Sequence, residues 1–320
     1  MDSVTKQLCA IESAVFRKLR PLGFTRHGST LHRFVSGDIS YLDTLRTQIG
    51  LSLRSHSMIL ITGAHGFVGQ KLFATLPDAV AAPSLRDASP EDIRQILLES
   101  GADTVIHTAA VSDIGACQAD PEGSYRANVL LPLRLAQACQ GRKLICFSSD
   151  QVYSGSPEPG PYTEDMAAPE NLYARQKLEM EQRVLEVLPS AVLLRAEWMF
   201  DLPAPKPNYA QLLLTADSLS FSSRQYRGVT WLEEVARNMD AVCRLPGGVY
   251  NFGSETSLSM YEITCQLIAA LGRDVPVTDA PPRHNLWLNC EKAKKFGISF
   301  SPAEEAVRLC LEASGHLPPK

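Results

Sequence analysis

From Met58 onward, short apolar runs alternate with stretches of helical period. Met58-Ile59-Leu60-Ile61-Thr62, Thr104-Val105-Ile106-His107-Thr108-Ala109-Ala110, and the runs over 143–148, 191–196 and 248–252 each have the length and continuous apolar character of a buried strand. Helical segments are predicted between them, near 67–76, 90–99, 121–140, 170–187 and 231–244, with two more over 258–272 and 302–314. Ser89-Pro90-Glu91-Asp92 is a helix start, with proline at the first helical position. Pro157-Glu158-Pro159-Gly160-Pro161 is a loop. Buried strands alternating with helices predict an α/β fold, a doubly wound parallel sheet covered on both faces.

Residues 1–57 do not share this rhythm. They carry eight Lys and Arg against four Asp and Glu, a net +4, while the other 263 residues sum to −8. Leu8, Ile11, Val15 and Leu19 recur at helical spacing before Pro21-Leu22-Gly23-Phe24 ends the pattern. Glu12, Asp38 and Asp43 argue against a transit peptide. The expected organisation is an N-terminal extension of unknown role over 1–57, a nucleotide-binding domain over 58–253, and a smaller C-terminal lobe over 254–320 to which 199–228 also contributes.

Composition narrows the class. The chain has 320 residues, 45% of them apolar and 21% charged, enough for a large core and one or two domains. A net charge of −4 does not suggest a nucleic-acid surface. No apolar run approaches the roughly 18–20 residues of a membrane span, and the N-terminus lacks a secretory apolar core. The eight cysteines form no C-x-x-C pair, which is read as a reducing, cytoplasmic setting with neither disulfide framework nor metal site.

Three features carry candidate chemistry. In Tyr173-Ala174-Arg175-Gln176-Lys177, a Tyr and a Lys four apart share one helix face. A lysine ammonium there can lower the phenol pKa, so that the phenol exchanges a proton with a carbonyl oxygen. Alone, such a pair is usually a solvated surface pair. Upstream, the first strand runs into Gly63-Ala64-His65-Gly66-Phe67-Val68-Gly69. Glycines after a strand permit a tight turn and close approach to a pyrophosphate at a helix N-terminus. The spacing is G-x-x-G-x-x-G, and His65 reads as the variable position beside the phosphates. Third, Ser149 ends a strand twenty-four residues before Tyr173, where its hydroxyl would face the cleft and orient a carbonyl. Cofactor choice turns on the short region from Val80 to Asp87: Arg86 could meet a 2′-phosphate or be solvated, Asp87 could reach the adenine side, and NADP is favoured over NAD.

Taken together these residues resemble the extended short-chain dehydrogenase/reductase superfamily, and within it the dTDP-4-dehydrorhamnose reductases and related sugar-nucleotide-binding proteins, from Met58 almost to the C-terminus. The resemblance rests on the glycine loop, His107-Thr108-Ala109-Ala110, Arg126-Ala127-Asn128-Val129, Phe147-Ser148-Ser149-Asp150-Gln151-Val152-Tyr153 and Arg195-Ala196-Glu197-Trp198. Arg224-Gln225-Tyr226-Arg227-Gly228-Val229-Thr230 is similar to a substrate-contact stretch of the family, with its Asp, Gly and Pro changed. Gly248-Val249-Tyr250-Asn251-Phe252-Gly253 and Pro282-Arg283-His284-Asn285 extend the likeness.

The resemblance implies a Rossmann-type domain with a smaller C-terminal substrate-binding lobe. It implies an NAD(P)-dependent oxidoreductase that reduces a keto group of a nucleotide-linked sugar. Tyr173 would protonate the oxygen, Lys177 would bind the nicotinamide ribose, and Ser149 would orient the carbonyl. The cofactor would lie against Gly63, His65, Gly66, Phe67, Val68 and Gly69, then Asp87, Ala109 and Ala110, then Asn128, Ser148, Tyr173 and Lys177. Substrate contacts would come from Ser112, Ser149, Asp150, Trp198, Arg227 and Arg283. For Trp198 core packing is an equal alternative, and for Arg283 a solvated loop is. The partner is a small nucleotide sugar, not nucleic acid or membrane; a homodimer stays open. Where dehydratases of the superfamily carry Thr-Asp-Glu, this chain has Ser149-Asp150-Gln151, and glutamine cannot remove a proton. Two alternatives remain: a nucleotide-sugar 4-epimerase, and a non-catalytic nucleotide-binding subunit like the regulatory subunit of methionine adenosyltransferase, which resembles these reductases.

Overall fold

The structure is a computed structural model and describes residues 58–203 and 207–319, so the expectations for residues 1–57 lie outside it. The chain opens with β1 (Ile59–Thr62), α1 (Phe67–Thr75), β2 (Ala79–Ala81), α2 (Pro90–Ser100) and β3 (Thr104–His107). It continues through α3 (Ile114–Ala119), α4 (Pro121–Tyr125), a π-helical turn (Arg126–Leu130), α5 (Leu131–Ala138) and β4 (Lys143–Ser149). A 3₁₀ turn (Asp150–Tyr153), α6 (Leu172–Val187) and β5 (Val192–Ala196) follow.

These strands and β9 (Gly248–Phe252) form one six-stranded parallel sheet in the order β2-β1-β3-β4-β5-β9. The fold is the expected Rossmann-type one. The chain steps outward from β1 to β2, then returns across β1 to β3, so the direction reverses between β1 and β3. In open α/β sheets that reversal opens the ligand crevice at the carboxyl ends of the strands.

Alternation along each strand divides the core. Ile61, Ile106, Ile145 and Leu194 face one side, with Leu72 of α1 and Val235 and Met239 of α8 (Leu232–Arg244). Leu60, Val105, Leu144 and Leu193 face the other, with Ile93 of α2, Leu135 of α5 and Met180 of α6. A third core gathers Phe200, Tyr209, Leu213, Trp231, Ile263 and Val307. It is built from β6 (Trp198–Phe200), α7 (Tyr209–Thr215), β7 (Leu219–Phe221), β8 (Val229–Trp231), α9 (Met260–Ala270), β10 (Val277–Asp279) and α11 (Ala303–Ala313). Here β6 pairs with β8 and β7 with β10, both in parallel.

Three expectations need correction. The strand expected over 104–110 stops at His107, because the chain turns there to bring the Ala109 backbone against Gly63. The single helix expected over 121–140 is broken by a π turn. Pro132 has no N–H to return to Asn128, and the wider bond from the Leu131 N–H to the Arg126 carbonyl takes over. The division at residue 253 does not follow the packing: Ala293 of α10 (Glu291–Lys294), Ile298 and Phe300 return to the first face of the large sheet. Among the described residues no helix is long and apolar enough to cross a membrane.

Candidate active site

The glycine loop sits at the reversal point, between β1 and α1. Gly63 has φ +73°, a left-handed conformation that disfavours any side chain, and a Cβ on it would lie 2.7 Å from the Ala109 nitrogen. A Cβ on Gly69 would lie 2.1 Å from the Gly63 carbonyl oxygen, so the first turn of α1 packs directly on the loop. The Gly66 N–H donates to the Gly63 carbonyl at 2.8 Å and closes the turn. Gly66 is the N-cap of α1, and no side chain caps the helix. This bare cradle fits a pyrophosphate. His65 is exposed on the loop, and Phe67 and Val68 are half-buried behind it. Asp87, Ala110 and Ser112 are exposed after β2 and β3, while Ala109 is half-buried.

The two serines ending β4 point in different directions, as strand geometry requires. The Ser148 hydroxyl donates to Glu181 Oε1 at 2.5 Å, and Glu181 also receives two-pronged donation from Arg195, with the closest contact at 2.7 Å. The Ser148 side chain expected at the cofactor is therefore committed to a buried ion pair. Ser149 begins the 3₁₀ turn, accepts from the Gln151 N–H at 3.2 Å, and donates to Asp150 Oδ1 at 3.2 Å. Asp150 Oδ2 accepts from Arg227 Nη2 at 3.0 Å, and the Arg227 guanidinium lies 5.4 Å from the Trp198 ring centroid. Ser149, Asp150, Arg227 and Trp198 are thus brought together. Arg283 is exposed on the loop whose next residue, His284, faces Asp150 and Arg227.

Helix α6 is capped by Asn171, whose side-chain Oδ1 accepts from the Ala174 N–H at 2.9 Å. Its amide also donates to Gln151 at 3.1 Å, tying the helix start to the 3₁₀ turn. Tyr173, Lys177 and Glu181 follow at four-residue intervals and all are buried. Lys177 Nζ donates to the Phe147 carbonyl at 2.8 Å and lies 5.9 Å from the Tyr173 ring centroid. Burial pushes the Tyr173 phenol up; the Ser149 hydroxyl beside it opposes the shift, and Asp150 and Cys117 reinforce it. The expected lowering of the phenol by Lys177 is not found, since desolvation dominates. Burial also lowers Lys177 to about 8, with Cys146, Glu181 and Cys117 opposing.

Asn128, in the π turn, spends its side chain on protein partners. Its oxygen accepts from the Val111 N–H, and its amide donates to the Val111 carbonyl and to Gln176 Oε1, each at 2.9 Å. It braces the loop after β3 against α6.

Two buried groups escape a motif-based reading. His107 shares a hydrogen bond of 2.6 Å with Thr62 Oγ1 through Nδ1, and its Nε2 has no partner. Burial, with help from Lys177, lowers its pKa to about 3, so it is neutral. Glu197 follows β5 and is 6% exposed. Burial first, then Asp150, raises its pKa to about 8. Its position in Arg-Ala-Glu-Trp, an acid directly after a buried strand, was the one available signal.

Residues 57–313 match the model of the RmlD substrate binding domain. The chain is 35% identical over 153 residues to a dTDP-4-dehydrorhamnose reductase of Mycobacterium tuberculosis, a match covering 44% of this chain and 50% of that one. The chain thus spans about half the length of that relative. It is 26% identical over 293 residues to methionine adenosyltransferase 2 subunit beta of Danio rerio, covering 78% of this chain and 88% of that one. Among solved structures, dTDP-4-dehydrorhamnose reductase from Bacillus anthracis in complex with NADP superposes with a TM-score of 0.70 at 19% identity, covering 81% of this chain and 99% of that one. That likeness concerns the fold alone. With the family model spanning most of the sequence and the glycine loop, serine turn and tyrosine helix meeting at one sheet edge, the chain belongs to the RmlD substrate binding domain family.

Proposed function

We propose that this protein is an NAD(P)-dependent oxidoreductase that reduces a keto group of a nucleotide-linked sugar. One observation carries the reading. The Ser149 hydroxyl lies beside the buried Tyr173 phenol and opposes the rise that burial imposes on it, one helical turn from buried Lys177, at the same sheet edge as the bare glycine cradle.

The cradle of Gly63, Gly66 and Gly69 would hold a dinucleotide pyrophosphate, and the nicotinamide supplies hydride when bound. Lys177, fixed by the Phe147 carbonyl, would offer its remaining protons to the ribose. Ser149 would hydrogen-bond the substrate carbonyl, and Tyr173 would give its proton to that oxygen as charge develops. A phenol held neutral by burial is a proton donor at rest, which suits the reductive direction. Arg227 and Trp198 would face the sugar nucleotide. NADP is favoured over NAD; the fold neighbours include a Bacillus anthracis protein in complex with NADP and a Thermus thermophilus protein in complex with NAD.

A second reading has its own support. The long match to methionine adenosyltransferase 2 subunit beta favours a nucleotide-binding subunit without turnover. One experiment separates them. The full chain is mixed with NADPH or NADH and a panel of 4-keto dTDP-, UDP- and GDP-sugars while nicotinamide absorbance is followed. Oxidation that Tyr173→Phe abolishes supports the reductase. Saturable cofactor binding with no oxidation on any substrate supports the subunit.

A further inference from the structure

Glu197 is enclosed in an unusual way for a carboxylate. It directly follows Ala196, which pairs with Ser149 on one side and Phe252 on the other, so it stands at the carboxyl edge beside the serine turn. A Cβ on Gly228 would fall 2.3 and 2.4 Å from its two oxygens, and a Cβ on Gly253 would fall 2.2 Å from Oε2. Two glycines on different segments therefore leave the room that this carboxyl fills. Oε2 accepts from Thr230 Oγ1 at 2.9 Å, and Oε1 has no hydrogen-bond partner. Arg227 Nε and Ser254 Oγ, on residues adjoining those glycines, are buried and unpartnered as well. A carboxylate here would be a buried charge with one oxygen unsatisfied, which is costly. A carboxylic acid has no charge to desolvate.

We propose that Glu197 is held as a neutral acid and is a positioning residue, keeping Arg227 committed to Asp150 and, through Asp150, keeping the Ser149 hydroxyl in place. The proposal rests on the reductase reading for its kinetic arm only. Asp150 divides its oxygens between Arg227 at 3.0 Å and Ser149 at 3.2 Å. An ionised Glu197 would set a second anion beside Asp150 and offer Arg227, whose Nε is unspent, a competing partner. The Arg227–Asp150 pair would loosen, and the Ser149 hydroxyl would lose its fixed acceptor.

The groups facing Glu197 come from several segments. Asp150 of the 3₁₀ turn disfavours ionisation, while Arg227, Thr230 and the Ser254 N–H favour it. Cys290, at the start of α10, is kept a thiol by its own burial. Glu255 beyond it is paired with Lys294. His284 acts one layer out, on Asp150, and itself faces Arg227, Glu170 and Arg283. Burial outweighs these neighbours, so the acid is neutral below about pH 8 and ionises above it.

The test uses the full chain and Glu197→Gln, which keeps shape and neutrality. Infrared titration of the wild type should reveal a protonated-carboxyl band at about pH 7 that disappears as pH passes 8. The band should be absent from Glu197→Gln and present in Asp150→Asn. Kinetically, kcat of the wild type should fall steeply on the alkaline side because Glu197 and Lys177 both titrate there. In Glu197→Gln the limb should be shallower, with Lys177 alone remaining, and KM should move less than kcat. A merely structural Glu197 would change melting temperature but leave the steepness of the limb untouched. No neutral-pH band assignable to Glu197, or an alkaline limb of equal steepness in Glu197→Gln, overturns the proposal. If no substrate turns over, the infrared result still decides the protonation state, and the shared failure points at the reductase reading instead.

Discussion

The Lys177 ammonium donates to the carbonyl of Phe147, two residues before Ser149. One lysine thereby fixes the helix bearing Tyr173 to the strand that delivers Ser149, and sets the spacing between phenol and hydroxyl. Removing it should damage more than a cofactor contact. Lys177→Met is expected to lower both nucleotide affinity and turnover, whereas Tyr173→Phe keeps the ring and its packing. The Phe variant should bind cofactor as the wild type does and lose turnover by ~100-fold or more. Isothermal titration for binding and absorbance for turnover measure the two effects, and near-normal turnover of Tyr173→Phe would remove the proton-donor role.

Gly69→Ala puts a methyl group 2.1 Å from the Gly63 carbonyl oxygen, an overlap between two backbone segments that no rotamer relieves. Nucleotide binding should weaken at least tenfold, about 1.4 kcal/mol. Gly66→Ala, whose methyl would meet that oxygen at 3.2 Å, should cost less. Equal affinities for both variants would mean the loop is not the cradle.

Arg195 and Glu181 form an ion pair at 2.7 Å with both side chains almost wholly buried. Truncating one partner strands the other charge. Arg195→Met should destabilise the fold by about 3–5 kcal/mol, read as a lower midpoint in urea. A change under about 1 kcal/mol would mean Glu181 finds a proton or another partner.

His107 gives a pH signature. Its folded pKa of about 3 is depressed from an ordinary 6.5, so the unfolded chain takes up a proton that the native state refuses between those values. The stability it contributes is present above pH 6.5 and is lost as pH falls toward 3. His107→Asn has no such group, so its stability relative to wild type should improve on acidification, by up to about 1.4 kcal/mol per pH unit. Urea midpoints from pH 7 to 4 test this; parallel curves would show that His107 protonates in place.

A chain beginning at Met58 should bind NAD(P)H much as the full chain does, because the glycine loop, serine turn and tyrosine helix all lie after that point. Loss of binding in the shortened chain would assign residues 1–57 a part in the site.

Five strands of the large sheet were legible because each is an apolar run bounded by turn residues, the pattern that burial on both faces produces; β2, three residues at the sheet edge and only partly buried, was not. The short strands β6, β7, β8 and β10 were not. Three residues such as Val229-Thr230-Trp231 carry too little periodicity, and their pairing is set by the third core rather than by local propensity. That Ser149, Tyr173 and Lys177 would lie together was legible because a strand end and a four-residue helical interval fix their placement. The turn of the Ser148 hydroxyl toward Glu181 was not legible, since a motif does not reveal which face of a strand a side chain takes once the register is fixed. Glu197 eluded the motif because its environment depends on Gly228 and Gly253, glycines whose proximity only the fold creates.

The position of β9 also bears on how the chain is assembled during synthesis. β9 pairs with β5, yet the chain between them leaves the sheet to build the first half of the third core. As residues emerge in order, β1 to β5 can dock while β5 still presents an unpaired edge. That edge is closed only when Gly248–Phe252 arrives, and Ile263 and Val307 of the third core come later still. A nascent chain stalled before β9 would therefore expose a strand edge and half a core at once, the combination that invites association with neighbouring chains. Once Gly248–Phe252 has cleared the ribosome and paired, the β5 edge is covered and only the half-built third core is left exposed.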